Sequence, residues 1–171
     1  MPDARKPDAI ALLKADHRNV EELFAKFERA KGDGKKKALA EAICMELTIH
    51  AKLEEDIFYP ACEGAVEEDL LKEAHVEHDA AKVLIAEIEA GGADDAFYDA
   101  KIKVLAELIE HHVEEEEKRV HGIFSQARAA GLDMDSLGER IHAEKKQLAA
   151  AYATDGSPAP ELSTLKATTL R

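Results

Sequence analysis

The sequence predicts an all-α protein: an up-down-up-down four-helix bundle with an additional C-terminal helix and a tail. Alanine and glutamate are abundant, only 5% of the residues are aromatic and tryptophan is absent, a composition that favours helices over strands. No segment alternates apolar and polar residues as a half-buried strand would. Glycine and proline instead divide the chain into four long helical segments with short connections, and short connections make consecutive helices antiparallel neighbours.

The first two helical segments have clear start and stop signals. Pro7-Asp8 opens the first segment near residue 8, and the Gly-Asp-Gly stretch at residues 32–34 closes it. The second segment runs from about residue 35 to residue 59. It is predicted to end there, because Pro60 has no N–H with which to continue the helical hydrogen bonds.

The later segments follow the same punctuation. The third spans about 67–90 and ends at a pair of glycines, and the fourth and longest spans about 94–130 and ends at Gly131. A shorter fifth helix is predicted over about 135–152. The predicted organisation is therefore a four-helix bundle over residues 1–131, an accessory packing helix over 132–152 and a flexible tail over 153–171.

Composition and charge exclude several classes of partner and location. The 171 residues carry a formal net charge of −13, which repels nucleic-acid backbones and anionic membrane surfaces. No window approaches the roughly 18 apolar residues of a membrane span. The N-terminus has charges inside its apolar patch and is not a signal peptide, so Cys44 and Cys62 are predicted to be reduced thiols in a cytoplasmic protein.

Each of the four long segments carries one histidine on its apolar face. A helix turns by about 100° per residue, so residues three or four positions apart share a face. His17 is aligned in this way with Leu13 and Val20. Two of the segments add a glutamate one turn after the histidine. The six residues predicted to form a site are His17, His50, Glu54, His78, His112 and Glu116.

Six ionisable side chains in one core point to a bound cation. A single histidine on an apolar face is usually an ordinary core residue. Several buried polar or charged groups, however, each cost several kcal/mol if they are left unpaired. A metal cluster satisfies all six groups at once, and histidines near the middle of antiparallel helices can meet in one layer. The sequence therefore predicts a metal site.

The stretch IEHHVEEEE at residues 109–117 requires a choice between neighbouring side chains. His112 is in register with the apolar face, whereas His111 points about 100° away, and Glu116 lies one turn after His112. His112 and Glu116 are therefore predicted as ligands. The side chains predicted to lie on a solvated face are His111, Glu114 and Glu117.

The same test favours His78 over His75, because His78 lies nearer the centre of its apolar face. Some assistance from His75 remains open. Glu55 and Glu115 could each support the site from beside a ligand or simply lie on its flank, and the sequence leaves that choice open as well.

Mixed imidazole and carboxylate ligands suit iron, manganese or zinc rather than calcium or magnesium. Six ligands exceed the need of one tetrahedral zinc ion. Two ions, each with two histidines and sharing two carboxylates, would use all six. Two iron ions joined by an oxo or hydroxo bridge are the predicted cofactor, followed by manganese or a mixed iron–manganese pair.

The motif order resembles the hemerythrin-like (HHE) cation-binding domain family. His17, His50-x-x-x-Glu54, His78 and His112-x-x-x-Glu116 follow one another within about residues 8–130, and the stretch EEDIFYP after His50 is also typical of the family. The resemblance implies a non-haem di-iron centre that handles O2, nitric oxide, peroxide or iron.

The chain departs from the oxygen-carrying hemerythrins in two positions. Those proteins have a second histidine four residues before the third-helix ligand, where this chain has Ala74, and they end in a His-x-x-x-x-Asp motif. The leading expectation is a protein that binds or reacts with small oxidants (O2, hydrogen peroxide or nitric oxide). Two alternatives stay open: a catalase-like enzyme that disproportionates peroxide, and a module that senses or buffers iron without turnover.

Overall fold

The computed structural model describes residues 6–166, which contain α-helices and one π-helical turn and no strand. This confirms the predicted all-α class. The elements, in chain order, are α1 (Ala9–Arg29), α2 (Asp33–Leu53), the π-helical turn (Glu54–Phe58), α3 (Tyr59–Cys62), α4 (Glu68–Gly91), α5 (Tyr98–Glu117), α6 (Ile123–Ala129) and α7 (Met134–Asp155).

The long helices α1, α2, α4 and α5 form the bundle, and α7 packs along α1 and α2. The Asp8 carboxylate caps α1 by accepting a hydrogen bond from the Ala11 N–H at 2.8 Å. Gly138 lets α7 approach the start of α1 closely, because a Cβ atom at this position would lie 2.9 Å from the backbone nitrogen of Ala9. The accessory helix therefore packs directly against the bundle.

A layer of ionisable side chains divides the core into two apolar clusters. On α1, Leu13 belongs to one cluster and Val20 to the other, and His17 lies between them. The same division occurs on α4, where Ala74 and Ala81 flank the histidine in the middle of the helix. The apolar stripe of each helix thus continues on both sides of the polar layer, which holds that layer in the middle of the bundle.

The second helical segment does not end before Pro60 as predicted. It widens into the π-helical turn after Leu53 and then continues as α3, which contains Pro60. The Tyr59 N–H donates to the carbonyl of Glu54 five residues back, which is the wide-turn pattern. A wider turn just before a proline relieves the clash that its ring would make with the preceding turn, so the chain stays helical.

The predicted fourth helix is interrupted. α5 ends at Glu117, residues 118–122 form a turn, and α6 is a separate short helix. His121 has a positive φ of 63°, and a Cβ atom on Gly122 would meet the backbone of α5. In the sequence, Gly122 was a possible signal for this break. Val120, which lies in the turn, is 69% exposed.

The chain after residue 152 also differs from the predicted flexible tail. α7 runs to Asp155, and residues 156–166, named here the C-terminal strap, lie along α4. Residues 167–171 of the predicted tail lie outside the described part. No helix within residues 6–166 combines the length and the apolar character that crossing a bilayer requires.

Candidate metal centre

The structure brings all six predicted site residues into one buried layer. Each of them is at most 6% exposed, and Glu54 and Glu116 are completely buried. His17 comes from α1, His50 from α2 and His78 from α4. The remaining three are Glu54 at the start of the π-helical turn and the pair His112 and Glu116 on α5.

The histidines form two pairs that face each other through their Nε2 atoms. The Nε2 atoms of His17 and His50 lie 3.1 Å apart, and those of His78 and His112 also lie 3.1 Å apart. Glu54 joins the two pairs, because its Oε1 is 3.1 Å from His50 Nε2 and its Oε2 is 3.1 Å from His78 Nε2.

Glu116 is the second shared carboxylate. Its Oε1 lies 2.6 Å from His112 Nε2 and 3.6 Å from His17 Nε2. Ligand atoms of His17, His50, Glu54 and Glu116 fall within 4.8 Å of one another, as do those of Glu54, His78 and His112. The layer therefore offers two adjacent groups of donors with Glu54 in both.

Buried carboxylate oxygens without a hydrogen-bond donor indicate whether this set of side chains fits a pair of metal ions. Both oxygens of Glu116 and Oε1 of Glu54 are buried, and within residues 6–166 no donor reaches them with hydrogen-bond geometry. Two imidazole nitrogens that face each other can share at most one proton between them. Converging nitrogens and orphaned carboxylate oxygens are what a pair of cations would satisfy, so the residues fit such a pair.

A carboxylate lies beside the outer nitrogen of each of the four histidines. In each case the histidine directs Nε2 inward and Nδ1 toward an acidic residue. Such partners fix the tautomer and ring orientation of a metal-binding histidine and raise its basicity. The pairs are His17 with Glu117 at 2.7 Å, His50 with Asp16 at 3.2 Å, His78 with Glu55 at 3.0 Å and His112 with Glu77 at 3.5 Å.

Three of these outer carboxylates are themselves held by a cation. Arg18 lies 2.7 Å from Glu117, Lys82 lies 2.9 Å from Glu55, and Lys145 of α7 binds Asp16. Burial opposes ionisation of Asp16, but His50 and Lys145 outweigh it and lower the pKa of the Asp16 carboxyl. The accessory helix thus reaches the centre through Lys145.

Charges within the layer shift the pKa values of the inner groups in opposite directions. Burial disfavours the protonated form of His50, but the Glu54 carboxylate and Asp16 outweigh this effect and raise the pKa of His50 to about 10. The pKa of Glu54 is held well below its ordinary value, because His50 and the other histidines overcome the cost of burial. Without metal the layer holds protons that a metal would displace.

Tyr59 was not predicted from the sequence. Its hydroxyl donates to Glu54 Oε2 at 3.1 Å and lies 3.4 Å from the Nε2 atoms of both His78 and His112. Burial and the nearby glutamates raise the pKa of Tyr59 well above its ordinary value, so the phenol stays protonated. The π-helical turn rotates the chain between Glu54 and Tyr59, and π-helical turns frequently occur at functional sites.

The structure also separates the neighbouring side chains that the sequence left open. His75 stacks edge-on against Tyr59, at 5.3 Å between ring centroids, and lies outside both donor groups. His111 is exposed and Glu115 pairs with Lys118, whereas Glu55 supports His78. The prediction for Glu117 was wrong, because its carboxylate lies 2.7 Å from His17 Nδ1 instead of in solvent.

A cavity of about 30 Å³ adjoins the layer and is lined by all four histidines of the centre. The rest of its wall is mostly apolar and includes Val20, Leu47 and Ile109. Those three residues belong to one apolar cluster and Tyr59 belongs to the other, so the cavity and the tyrosine lie on opposite sides of the layer. A volume of this size holds one very small molecule.

Comparisons with known proteins agree with this arrangement. The family model described as the hemerythrin HHE cation binding domain matches residues 8–124. The crystal structure of a hemerythrin HHE cation binding domain-containing protein from Mycobacterium kansasii superposes with a TM-score of 0.74. It has 24% sequence identity and covers 90% of this chain and 96% of that chain, and this likeness shows the fold.

A curated relative is described as a DNA nickase from Nostoc sp. strain PCC 7120. It is 26% identical over 106 residues, which is 62% of this chain and 30% of that protein. The chain thus spans less than a third of the length of this relative.

Proposed function

This chain belongs to the hemerythrin HHE cation binding domain family, and we propose that it is a non-haem di-iron protein that binds or reacts with small oxidants. The observation that carries the proposal is the pair of converging donor groups that share Glu54. Within residues 6–166, no hydrogen-bond donor satisfies either oxygen of Glu116. A cation-binding domain with two adjacent groups of this kind is suited to two metal ions.

In this proposal the metal ligands are His17, His50, Glu54, His78, His112 and Glu116. The outer carboxylates orient the imidazole rings, and Tyr59 offers an oxygen donor on the side of His78 and His112. When bound, an iron pair supplies one-electron redox chemistry and open coordination positions for a small molecule.

The donor chemistry favours iron over zinc, calcium and magnesium. Four imidazoles and two carboxylates exceed the four donors of a tetrahedral zinc site, and calcium and magnesium prefer oxygen donors alone. Manganese accepts the same ligands and is the main competitor. Metal analysis of protein loaded with equimolar iron and manganese separates the two.

The cavity beside the histidines supports a very small and largely apolar ligand. Its wall offers few hydrogen-bonding groups besides the histidines, so O2 and nitric oxide fit it better than a molecule that needs several hydrogen bonds. Ala74, at the position where oxygen carriers have a further histidine, removes one imidazole from the expected set of ligands. We therefore expect oxidation of the reduced centre rather than reversible carriage of O2.

Anaerobic stopped-flow spectroscopy of reduced, iron-loaded protein tests the proposal. Mixing with O2 should give an oxidised spectrum that does not revert when O2 is removed, and nitric oxide should bind to the reduced form. A long-lived adduct that reverts on removal of O2 would make oxygen storage the function. A protein that holds two irons but responds to neither O2, nitric oxide nor peroxide would be an iron-buffering module.

Hydrogen peroxide provides the test of the catalase-like alternative, because continued O2 release in an oxygen electrode distinguishes turnover from a single oxidation. DNA nicking is not proposed for this chain, which matches 30% of the length of the nickase and has a net charge of −13. That charge opposes binding to a phosphate backbone.

A further inference from the structure

A second, larger cavity lies between the C-terminal strap and the bundle. Its volume is about 290 Å³, and its apolar lining includes Ile49 of α2, Ile85 of α4, Leu148 and Tyr152 of α7, and Pro158 and Pro160 of the strap. This volume is close to the lower end of the range for small-molecule pockets, roughly 300–1,000 Å³.

Polar contacts with α4 hold the strap over this cavity at three positions along the helix. Ser157 donates to Glu89 at 2.8 Å, and Lys82 donates to the backbone carbonyl of Glu161 at 2.9 Å. Asp79 provides the third and strongest attachment. The strap therefore runs antiparallel to α4, from the end of that helix back toward its middle.

The attachment at Asp79 is built from the strap backbone. The buried Asp79 carboxylate accepts hydrogen bonds from the N–H groups of Ser163, Thr164 and Leu165, at 3.1, 2.6 and 2.9 Å, and from the Thr164 hydroxyl at 2.6 Å. Burial alone would raise the pKa of this carboxyl, but the four donors lower it to about 2. A segment without regular structure is thus fixed in one position.

The strap and the bundle leave a largely apolar space between them that is partly open to solvent, and apolar surface gains free energy when a ligand covers it. The apolar side chains around an unfilled space lose dispersion contacts. The attachments of the strap to α4 hold it on one side of this space, and Ile49 and Ile85 of the bundle line the other side. We propose that the cavity between the C-terminal strap and the bundle is a binding site for a small, neutral, largely apolar organic molecule.

The charges around the cavity define the class of ligand. Its wall contains two lysines, and both are already paired: Lys52 with Asp56 and Lys82 with Glu55, each at 2.9 Å. Carboxylates outnumber lysines in the wall, since Glu55, Glu89, Asp155 and Glu161 also contribute to it. The carboxylates would repel an anionic head group, and within residues 6–166 both lysines of the wall are already paired. The site therefore disfavours fatty acids and favours a neutral ring compound.

The proposed site shares a wall with the metal centre. Thr48, Lys82 and Ile85 line both this cavity and the small cavity beside the histidines. Glu55, which also lines the larger cavity, lies 3.0 Å from His78 Nδ1. A molecule bound under the strap would therefore lie one side-chain layer from the histidines.

Titration with 1-aminoanthracene, a neutral aromatic fluorophore, tests this site in the metal-free protein, so the result does not depend on the proposed function. The unaltered protein should bind one equivalent saturably, with a blue-shifted emission. Ala86→Trp places an indole in the cavity and should weaken binding at least tenfold, while Ala129→Trp, on an exposed face of α6, should leave it unchanged.

A second variant acts only on the strap. Thr164→Pro removes one N–H donor and the hydroxyl that bind Asp79 and leaves every helix unaltered, so a folding failure is not expected. It should also weaken binding of the probe, and hydrogen exchange at Ser163 and Leu165 should slow when the probe binds to unaltered protein. Absence of saturable binding, or equal affinity in Ala86→Trp and Ala129→Trp, would overturn the inference.

Discussion

The two halves of the centre share one plan, but a tyrosine hydroxyl lies beside only one of them. The His17–His50 half and the His78–His112 half each contain two imidazoles with Nε2 atoms 3.1 Å apart, and Glu54 contributes one oxygen to each. Only the His78–His112 half has the Tyr59 hydroxyl within 3.4 Å of both imidazoles. The similar arrangement of the helices has therefore not produced two equivalent groups of donors.

The contacts of the outer carboxylates and of Tyr59 show why the hydroxyl lies beside only one half. In both halves, each histidine contacts a carboxylate on a different helical element, and that carboxylate is next in sequence to another residue of the centre. Asp16, which contacts His50, and Glu55, which contacts His78, are examples. Tyr59 reaches its half because the π-helical turn shifts it relative to Glu54. A backbone irregularity of one turn thus determines which half receives the additional oxygen.

The largest expected effect comes from removing a ligand of the His78–His112 half. His112→Ala should lose most of the bound metal, because it removes one of two imidazoles and leaves Glu116 without its nearest nitrogen at 2.6 Å. Metal content per chain, measured by plasma emission spectroscopy after dialysis, reports the loss. His111→Ala is the matched control, since the exposed His111 side chain should be dispensable. Equal loss in both variants would contradict the assignment of His112.

The second prediction is that removing the Tyr59 hydroxyl affects the His78–His112 half of the centre and not the His17–His50 half. Tyr59→Phe removes a hydrogen bond to the charged, buried Glu54 carboxylate, although His78 Nε2 remains 3.1 Å from the same oxygen. The loss should cost about 1.5–3 kcal/mol of unfolding free energy in the metal-free protein. In loaded protein the change should perturb the spectrum of one iron and leave the other unaltered, as Mössbauer spectroscopy can show. Tyr152→Phe removes a hydroxyl bonded to Glu89 outside the centre and should change neither spectrum. Equal perturbation of both irons would remove the proposed asymmetry.

The third prediction concerns an outer carboxylate of the His17–His50 half. Glu117→Gln should weaken metal affinity by about tenfold, the lower end of the range for such partners, because the site is near the surface and Arg18 remains beside it. Competition with a chelator measures the affinity. Glu115→Gln changes the same charge two positions away, where the side chain pairs with Lys118, and should leave the affinity unaltered. A tenfold effect there would show that only local charge matters.

The smallest effect is expected at the start of α1, the helix that carries His17. Asp8→Ala removes the helix cap and should lower the unfolding free energy by about 1 kcal/mol without changing metal content. Chemical denaturation measures the difference, with Asp135→Ala at an exposed position as control. Loss of metal in Asp8→Ala would mean that the His17–His50 half depends on the end of its helix as well as on its local contacts.

The Asp8 effect has a defined dependence on pH. Burial opposes ionisation of Asp8, but the Ala11 N–H and Arg128 outweigh it and lower the pKa of the carboxyl. A group whose pKa is lower in the folded state stabilises the fold above its unfolded pKa, about 3.9 for aspartate. The difference between Asp8→Ala and unaltered protein should therefore be constant near neutral pH and shrink as the pH falls below about 4.

The sequence by itself determined the helical class and the inward-facing histidines and glutamates of the candidate centre. Helical periodicity is a local property, so one apolar face per helix was enough to place His17, His50, His78 and His112 inward and to add Glu54 and Glu116 one turn later. The glycine pairs and Asp8 likewise located most helix ends.

Tertiary structure alone decided the features that depend on contacts distant along the chain. Tyr59 joins the centre through a π-helical turn, Glu117 reaches His17 across 100 residues of sequence, and the strap binds Asp79 from 84–86 residues away. A periodic pattern identifies which face of a helix is buried, but it does not identify which other element packs against that face. The asymmetry of the centre and the cavity under the strap arise from contacts between elements, because both features depend on how separate helices and the strap pack together.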